Sequence, residues 1–207
     1  MSELGRFVLR RLNEVGLSQA EAARRGAFTR QSLGNWINGN VRTVQLQSLV
    51  SLAGVLEVSP HHLLRLVCRE MGTALAPDPS TLHPGDRTAF VRDLSIPDNT
   101  VVHAGQRFAK GWRLQNVGRV EWVDRRLECV DLPPGDDGRR LGYLVPSSRS
   151  VAVPRTAPGE TVDLAVEFTA PETPATVRST WKLVDAEGRV CFPDEDGAYC
   201  QVRVVLL

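Results

Sequence analysis

The chain has 207 residues, room for one large or two small domains, and its 42% hydrophobic and 24% charged content is a folded balance that excludes wholesale disorder. The net charge of +1 hides an asymmetry: residues 1–76 hold nine Arg against five Glu, a net +4, while residues 77–207 hold 16 basic against 19 acidic side chains, a net −3. No run approaches the roughly 18 consecutive apolar residues of a membrane span, and the N-terminus lacks a signal peptide's apolar core, so a cytoplasmic protein with no membrane partner is expected.

From residue 2 to about 71 the pattern is helical. Leu4, Phe7, Val8 and Leu12 form one apolar stripe of a first helix that ends at Gly16. Ser18 and Glu21 have the spacing of a capping box, which predicts a second helix from there to about Arg25, broken by Gly26. Thr29 is a candidate N-cap for a third helix running to Asn38 and closed by Gly39. Leu46, Leu49, Val50, Ala53 and Leu56 stripe a fourth helix. Ser59-Pro60 opens a fifth, with Leu63, Leu64 and Val67 on its apolar face.

Residues 72–86, with three prolines and two glycines, read as a linker between a domain over 1–71 and another over 87–207. Beyond the linker come short runs rich in Val, Thr, Phe and Trp, separated by turn signals such as Asp185–Gly188 and Asp194–Gly197. Leu164, Val166 and Phe168 alternate with polar or small neighbours, the period of a half-buried strand. Strands without intervening helices indicate an antiparallel sandwich. The fold class is therefore multidomain: a five-helix domain followed by a β-sandwich.

The stretch LSQAEAARRGAFTRQSLGNWINGN, followed by LQSLVSLAGVLEVSPHHLL, resembles the XRE-type, Cro-repressor-like helix-turn-helix domains over about residues 4–67. Two features depart from that pattern: Gly26-Ala27 reverses the usual Ala-Gly order at the turn, and Ala22 and Val44 replace a typical Leu and Pro. The resemblance implies a lambda-repressor-like fold that binds double-stranded DNA. It places Arg30, Gln31, Ser32 and Asn35 at the exposed start of the third helix as base contacts, and Gln19, Thr29 and Arg42 as phosphate contacts. Arg30 suits guanine O6 and N7, and Gln31 suits adenine N6 and N7. Trp36 either packs against the fourth helix or covers a phosphate-backbone edge.

The segment from Phe90 to Trp122, with Phe108, Lys110, Trp112, Leu114, Asn116 and Gly118 at alternate positions, and then Pro158-Gly159 and Trp181, resembles the four-tryptophan (FW) domain over about residues 88–206. The C-terminal strand departs from it by offering Tyr199 in place of a fourth tryptophan. That resemblance implies an immunoglobulin-like sandwich that recognises a protein or peptide. Trp112, Trp122, Trp181 and Tyr199 are candidate partner-binding residues, and the three indoles have core packing as their alternative. The acidic turns at Asp136-Asp137 and Asp194–Asp196 are either solvated or landing sites for a basic peptide.

No Gly-rich phosphate loop, nucleophile motif or complete metal-ligand set occurs, so neither catalysis nor a cofactor is expected. Cys68, Cys129, Cys191 and Cys200 show no CxxC spacing and read as reduced thiols, with a Cys191–Cys200 pair left open. Together the two resemblances imply a bacterial, nucleoid-associated transcriptional regulator with a protein-sensing sandwich. A homodimer would read a pseudo-palindromic site. The competing expectation is an interaction adaptor whose helical domain binds protein.

Overall fold

The computed structural model describes residues 1–40, 44–73, 81–132 and 142–206. They divide into two compact units, one over Met1–Pro77 and one over Asp78–Leu207.

Among the described residues the first unit contains five helices: α1 (Glu3–Glu14), α2 (Gln19–Arg25), α3 (Arg30–Asn38), α4 (Leu46–Leu56) and α5 (Pro60–Glu70). The Ser2 side chain caps α1 by accepting from the Gly5 amide, and Leu4, Phe7, Val8 and Leu12 face the core as their spacing requires. Gly5 is where α1 meets α3: a Cβ there would stand 1.9 Å from the Ile37 carbonyl oxygen, so only glycine lets the two helices approach this closely.

On α4 the buried face is Leu49, Leu52, Ala53 and Leu56, whereas Leu46 is 69% and Val50 44% exposed. Leu49, Ala53 and Leu56 of the expected stripe are buried, while Leu46 and Val50 give way to Leu52, because the neighbouring helices cover α4 on its Leu52 side. Leu64 of α5 is likewise exposed and Leu66 takes its place in the core. Arg11, buried on α1, closes α4 by donating from Nη2 to the Leu56 carbonyl at 3.0 Å. Ser59 makes no side-chain cap on α5; Pro60 at the first helical position and the Ser59 carbonyl start that helix instead.

Among the described residues the second unit is a sandwich of nine strands: β1 (Thr88–Asp93), β2 (Thr100–His103), β3 (Arg107–Asn116), β4 (Arg126–Cys129), β5 (Val145–Pro146), β6 (Ser150–Ala152), β7 (Thr161–Thr169), β8 (Thr176–Val184) and β9 (Ala198–Val205). One sheet has the order β1-β3-β7-β5 and the other β2-β9-β8-β4-β6. Pairing is antiparallel throughout except for β2, which runs parallel to β9. On β7, Val162, Leu164, Val166 and Phe168 point into the core and Asp163, Ala165 and Glu167 point out.

The expected linker over residues 72–86 is described only in part. Residues 74–80 lie outside the described residues, and residues 81–86 are docked on the sandwich. Leu82 N–H donates to the Cys191 carbonyl, and the buried Asp86 accepts from Trp122 Nε1 at 2.8 Å and Arg125 Nη2 at 3.1 Å. Burial pushes the Asp86 carboxyl upward, against the Trp122 hydrogen bond and the Arg125 charge that favour its ionised form. All four cysteines are free; burial raises the Cys191 thiol to about 11 and the Cys200 thiol to about 12, so both are poor nucleophiles. Among the described residues no helix is long and apolar enough to cross a membrane.

His62 of α5 gives the helical unit a pH dependence. Its ring is buried 4.6 Å from that of Phe7, and burial, with the charges of Arg69, Arg65, Arg10 and His61, lowers its pKa from 6.5 to about 4. Between those values the unfolded chain binds more protons than the folded one, so stability is lost as pH falls from 6.5 toward 4. The loss amounts to about 3 kcal/mol. Urea unfolding followed by helical circular dichroism should show this slope in the native chain and a flatter one in His62→Leu.

Candidate nucleic-acid interface

α2 and α3 form a helix-turn-helix whose turn is residues 26–29. The Ser18 hydroxyl caps α2 by accepting from the Glu21 amide at 3.2 Å. The reciprocal half of the capping box is not made, because the Glu21 carboxylate pairs with Arg24 and with Arg25 Nε instead. Two of the nine N-terminal arginines are thereby matched by an acid on their own helix. Gln19, the first residue of α2, is exposed.

The turn explains the reversed Gly-Ala order. The left-handed residue is Ala27, with φ of 52°, whereas Gly26 has φ of −83°. Gly26 is needed for space: a Cβ on it would stand 1.9 Å from Cε1 of Phe28. The Phe28 ring in turn lies 5.4 Å from that of Trp36 on α3. Trp36 is 7% exposed and belongs to the helical core, which settles its role as packing rather than phosphate cover.

α3 is capped by Thr29, whose hydroxyl oxygen accepts from the Ser32 amide at 3.0 Å and lies 2.9 Å from the Ser32 hydroxyl. Leu33, Trp36 and Ile37 bury one face; Arg30, Gln31 and Asn35 are exposed on the other, and Ser32 is half-buried between them. The cap ties up part of the hydrogen-bonding capacity of Thr29 and Ser32, leaving Arg30, Gln31 and Asn35 as the freer polar groups of the tip. Arg42 lies outside the described residues.

A groove of about 300 Å³ beside this tip is lined by Ser32, Asn35, Asn40, Gln45 and Ser48, over Trp36 and Val44. The N-terminus of α4 borders it, and its N-cap, Gln45, makes no side-chain cap bond. Sequence reading did not single out Asn40, Gln45 and Ser48 as neighbours of this tip; a sequence signal for the uncapped start of α4 is the lack of Ser, Thr, Asp or Asn there.

In the sandwich the three candidate tryptophans are core residues. Trp112 and Trp181 are 0% and Trp122 1% exposed. Each indole N–H is satisfied internally: Trp112 donates to the Tyr199 carbonyl at 2.9 Å, Trp122 to Asp86, and Trp181 to the Ser179 hydroxyl at 3.0 Å. All three thus pack in the core, one of their two expected places, with no indole donor left over. Tyr199 is half-buried, with the Arg178 guanidinium 4.2 Å from its ring centroid and the Asp98 charge and hydrogen bond holding its phenol above the usual range. Asp136-Asp137 lie outside the described residues.

Comparison with known proteins places each unit. Residues 9–63 match the helix-turn-helix family, and residues 95–204 match the family described as Ig-like domain from next to BRCA1 gene. Protein JOKA2 of Solanum tuberosum is 30% identical over 101 residues, 48% of this chain and 11% of its own length. Next to BRCA1 gene 1 protein of Homo sapiens is 33% identical over 96 residues, 46% of this chain and 9% of its own. Protein ILRUN of Danio rerio is 28% identical over 100 residues, 48% of this chain and 32% of its own. The chain thus spans about a tenth of the length of the first two relatives. Both matched families are of binding type, DNA-binding and protein-interacting, and neither is an enzyme family.

The turn yields a test. Ala27→Gly should stabilise the helical unit by about 0.5–1 kcal/mol by relieving a left-handed alanine. Gly26→Ala should destabilise it by about 1–3 kcal/mol through the clash with Phe28. Denaturant midpoints of the two variants check both signs.

Proposed function

Because the chain belongs to the family of Ig-like domains from next to BRCA1 gene, with a helix-turn-helix domain ahead of that module, we propose that it is a sequence-specific DNA-binding transcriptional regulator whose sandwich binds a protein partner. The observation that carries the reading is the capped tip of α3, where Arg30, Gln31 and Asn35 stand exposed on the face opposite Leu33, Trp36 and Ile37. In this reading α3 enters the major groove. Arg30 forks onto guanine, Gln31 and Asn35 onto adenine, and Ser32 takes a neighbouring edge. Gln19, Thr29 and Arg42 hold phosphates, with the α2 dipole and the Arg42 charge favouring the anion.

One such module buries little surface, so two copies would read a pseudo-palindromic site. A protein bound to the sandwich would then regulate by preferring one arrangement of the two DNA-binding heads. The setting would be the nucleoid of a bacterial cytosol.

A second reading, an adaptor whose helical unit binds protein, is favoured by the modest charge: residues 1–76 carry +4 and no lysine, and Arg24 and Arg25 are already paired with Glu21. Gel shifts at about 150 mM salt with selected genomic and random duplexes separate the two. Arg30→Ala should cost roughly 1–3 kcal/mol on the selected duplex and relax preference at one base pair. Arg42→Ala should weaken both duplexes alike and reduce the salt slope by about one. If the two variants behave identically, these roles are wrong; if the native chain binds neither duplex, the adaptor reading replaces the regulator.

A further inference from the structure

A cavity of about 160 Å³ opens between β1 and the turn that leads into β9. Its lining is mostly apolar, with Leu114, Leu127, Trp181 and Phe192 beneath and Ala198 at the side. Thr88 forms part of the wall, and its hydroxyl oxygen is buried and, among the described residues, has no hydrogen-bond partner. A buried hydroxyl without a partner is costly. Standing at the wall of an open cavity, it marks a place for a polar atom supplied from outside. The mouth is framed by Phe90, 52% exposed, and by Glu195 and Asp196.

Among the described residues β1 is also the outer strand of its sheet. Thr88 lies opposite Asn116, whose amide donates away from β1 to the Glu160 carbonyl. In an antiparallel ladder that makes Thr88–Asn116 a non-hydrogen-bonded pair, so the Thr88 backbone groups face outward from the sheet. An apolar solute would fill the cavity and leave this edge unused. An extended peptide uses both, through backbone pairing along the strand and one side chain in the adjoining pocket. The rim favours a cation: Glu195 and Asp196 line it, Asp194 precedes them in the turn, and of the two cations whose charges act on Glu195, Arg87 and Lys182, the Lys182 ammonium is already bound to the Pro193 carbonyl at 2.9 Å.

We infer that β1 is a docking edge for an extended segment of a partner protein, which pairs at Thr88–Phe90 and buries one aliphatic or aromatic side chain in the cavity beside the Thr88 hydroxyl. Residues two apart share a face of a strand, so a Lys or Arg two positions along meets Glu195 and Asp196. This inference rests on the protein-binding reading of the sandwich and names its site.

The test uses the full chain and a library of randomised internal decapeptides displayed on a carrier protein. The strongest binder is then synthesised and titrated into nitrogen-15-labelled chain. Enriched sequences should share an apolar residue with Lys or Arg two positions away, and amide shifts should centre on Thr88–Phe90, Ala198 and the Trp181 indole. Thr88→Val should raise the thermal midpoint, since it removes the unpartnered hydroxyl, and weaken peptide binding several-fold. Phe90→Glu should weaken it about tenfold or more with circular dichroism unchanged.

Shifts centred elsewhere on the sandwich would overturn this edge while leaving the protein-binding reading intact. No enrichment over bare carrier would overturn both. Unchanged peptide affinity in Thr88→Val and Phe90→Glu would overturn the edge alone.

Discussion

The close approach of α1 to the last turn of α3 governs the helical unit. With no side chain on Gly5, the Ile37 carbonyl can lie against α1, and Trp36 and Leu33 complete the seal with Phe28 on one side and the α4 and α5 leucines on the other. A helix of nine residues has little stability of its own, so its orientation comes from this packing. Burial claims the Leu33-Trp36-Ile37 face and leaves the opposite one, starting at the Thr29 cap, to solvent. The polar tip is therefore exposed by a rigid mechanism, since moving it would open the core beneath.

The sandwich follows a different logic. Its core holds three indoles, and each N–H finds an acceptor inside the fold: a backbone carbonyl, a buried carboxylate and a hydroxyl. The Asp86–Arg125 pair beneath Trp122 also secures residues 81–86, which makes this short segment part of the sandwich. A buried ion pair of this kind is strongly destabilised by loss of one partner. Outside this core stand the exposed Phe90 and the outer strand β1.

Much of this was legible in the chain because local signals and packing agreed. Ser18 and Thr29 cap the helices they were expected to cap, and Gly39 ends α3 in a left-handed conformation. The FW-like and XRE-like patterns carried the fold of both units. What was not legible depends on which neighbour packs opposite a residue. Periodicity places Leu46 and Val50 on an apolar stripe but cannot say that α4 is covered only from the Leu52 side. Spacing offered Glu21 the Ser18 amide, yet two arginines one turn away compete for the carboxylate more effectively. The tryptophans are equally apt as core and as anchor, and only the burial of their N–H groups decides. Proline and glycine content marked 72–86 as linker, but Asp86 is held by partners 36 and 39 positions away.

The account stands or falls on whether the tip of α3 meets DNA. The most direct measurement is the side-chain amide spectrum of Gln31 and Asn35 while the full chain is titrated with a duplex recovered by genomic selection. The account expects both amide pairs to shift and slow their exchange with solvent, together with the Ser32 backbone amide, while the Leu33 and Ile37 methyls stay in place. If those side-chain amides remain unchanged while the duplex binds through another face, or if no genomic duplex is recovered, the DNA-reading role of α3 is contradicted.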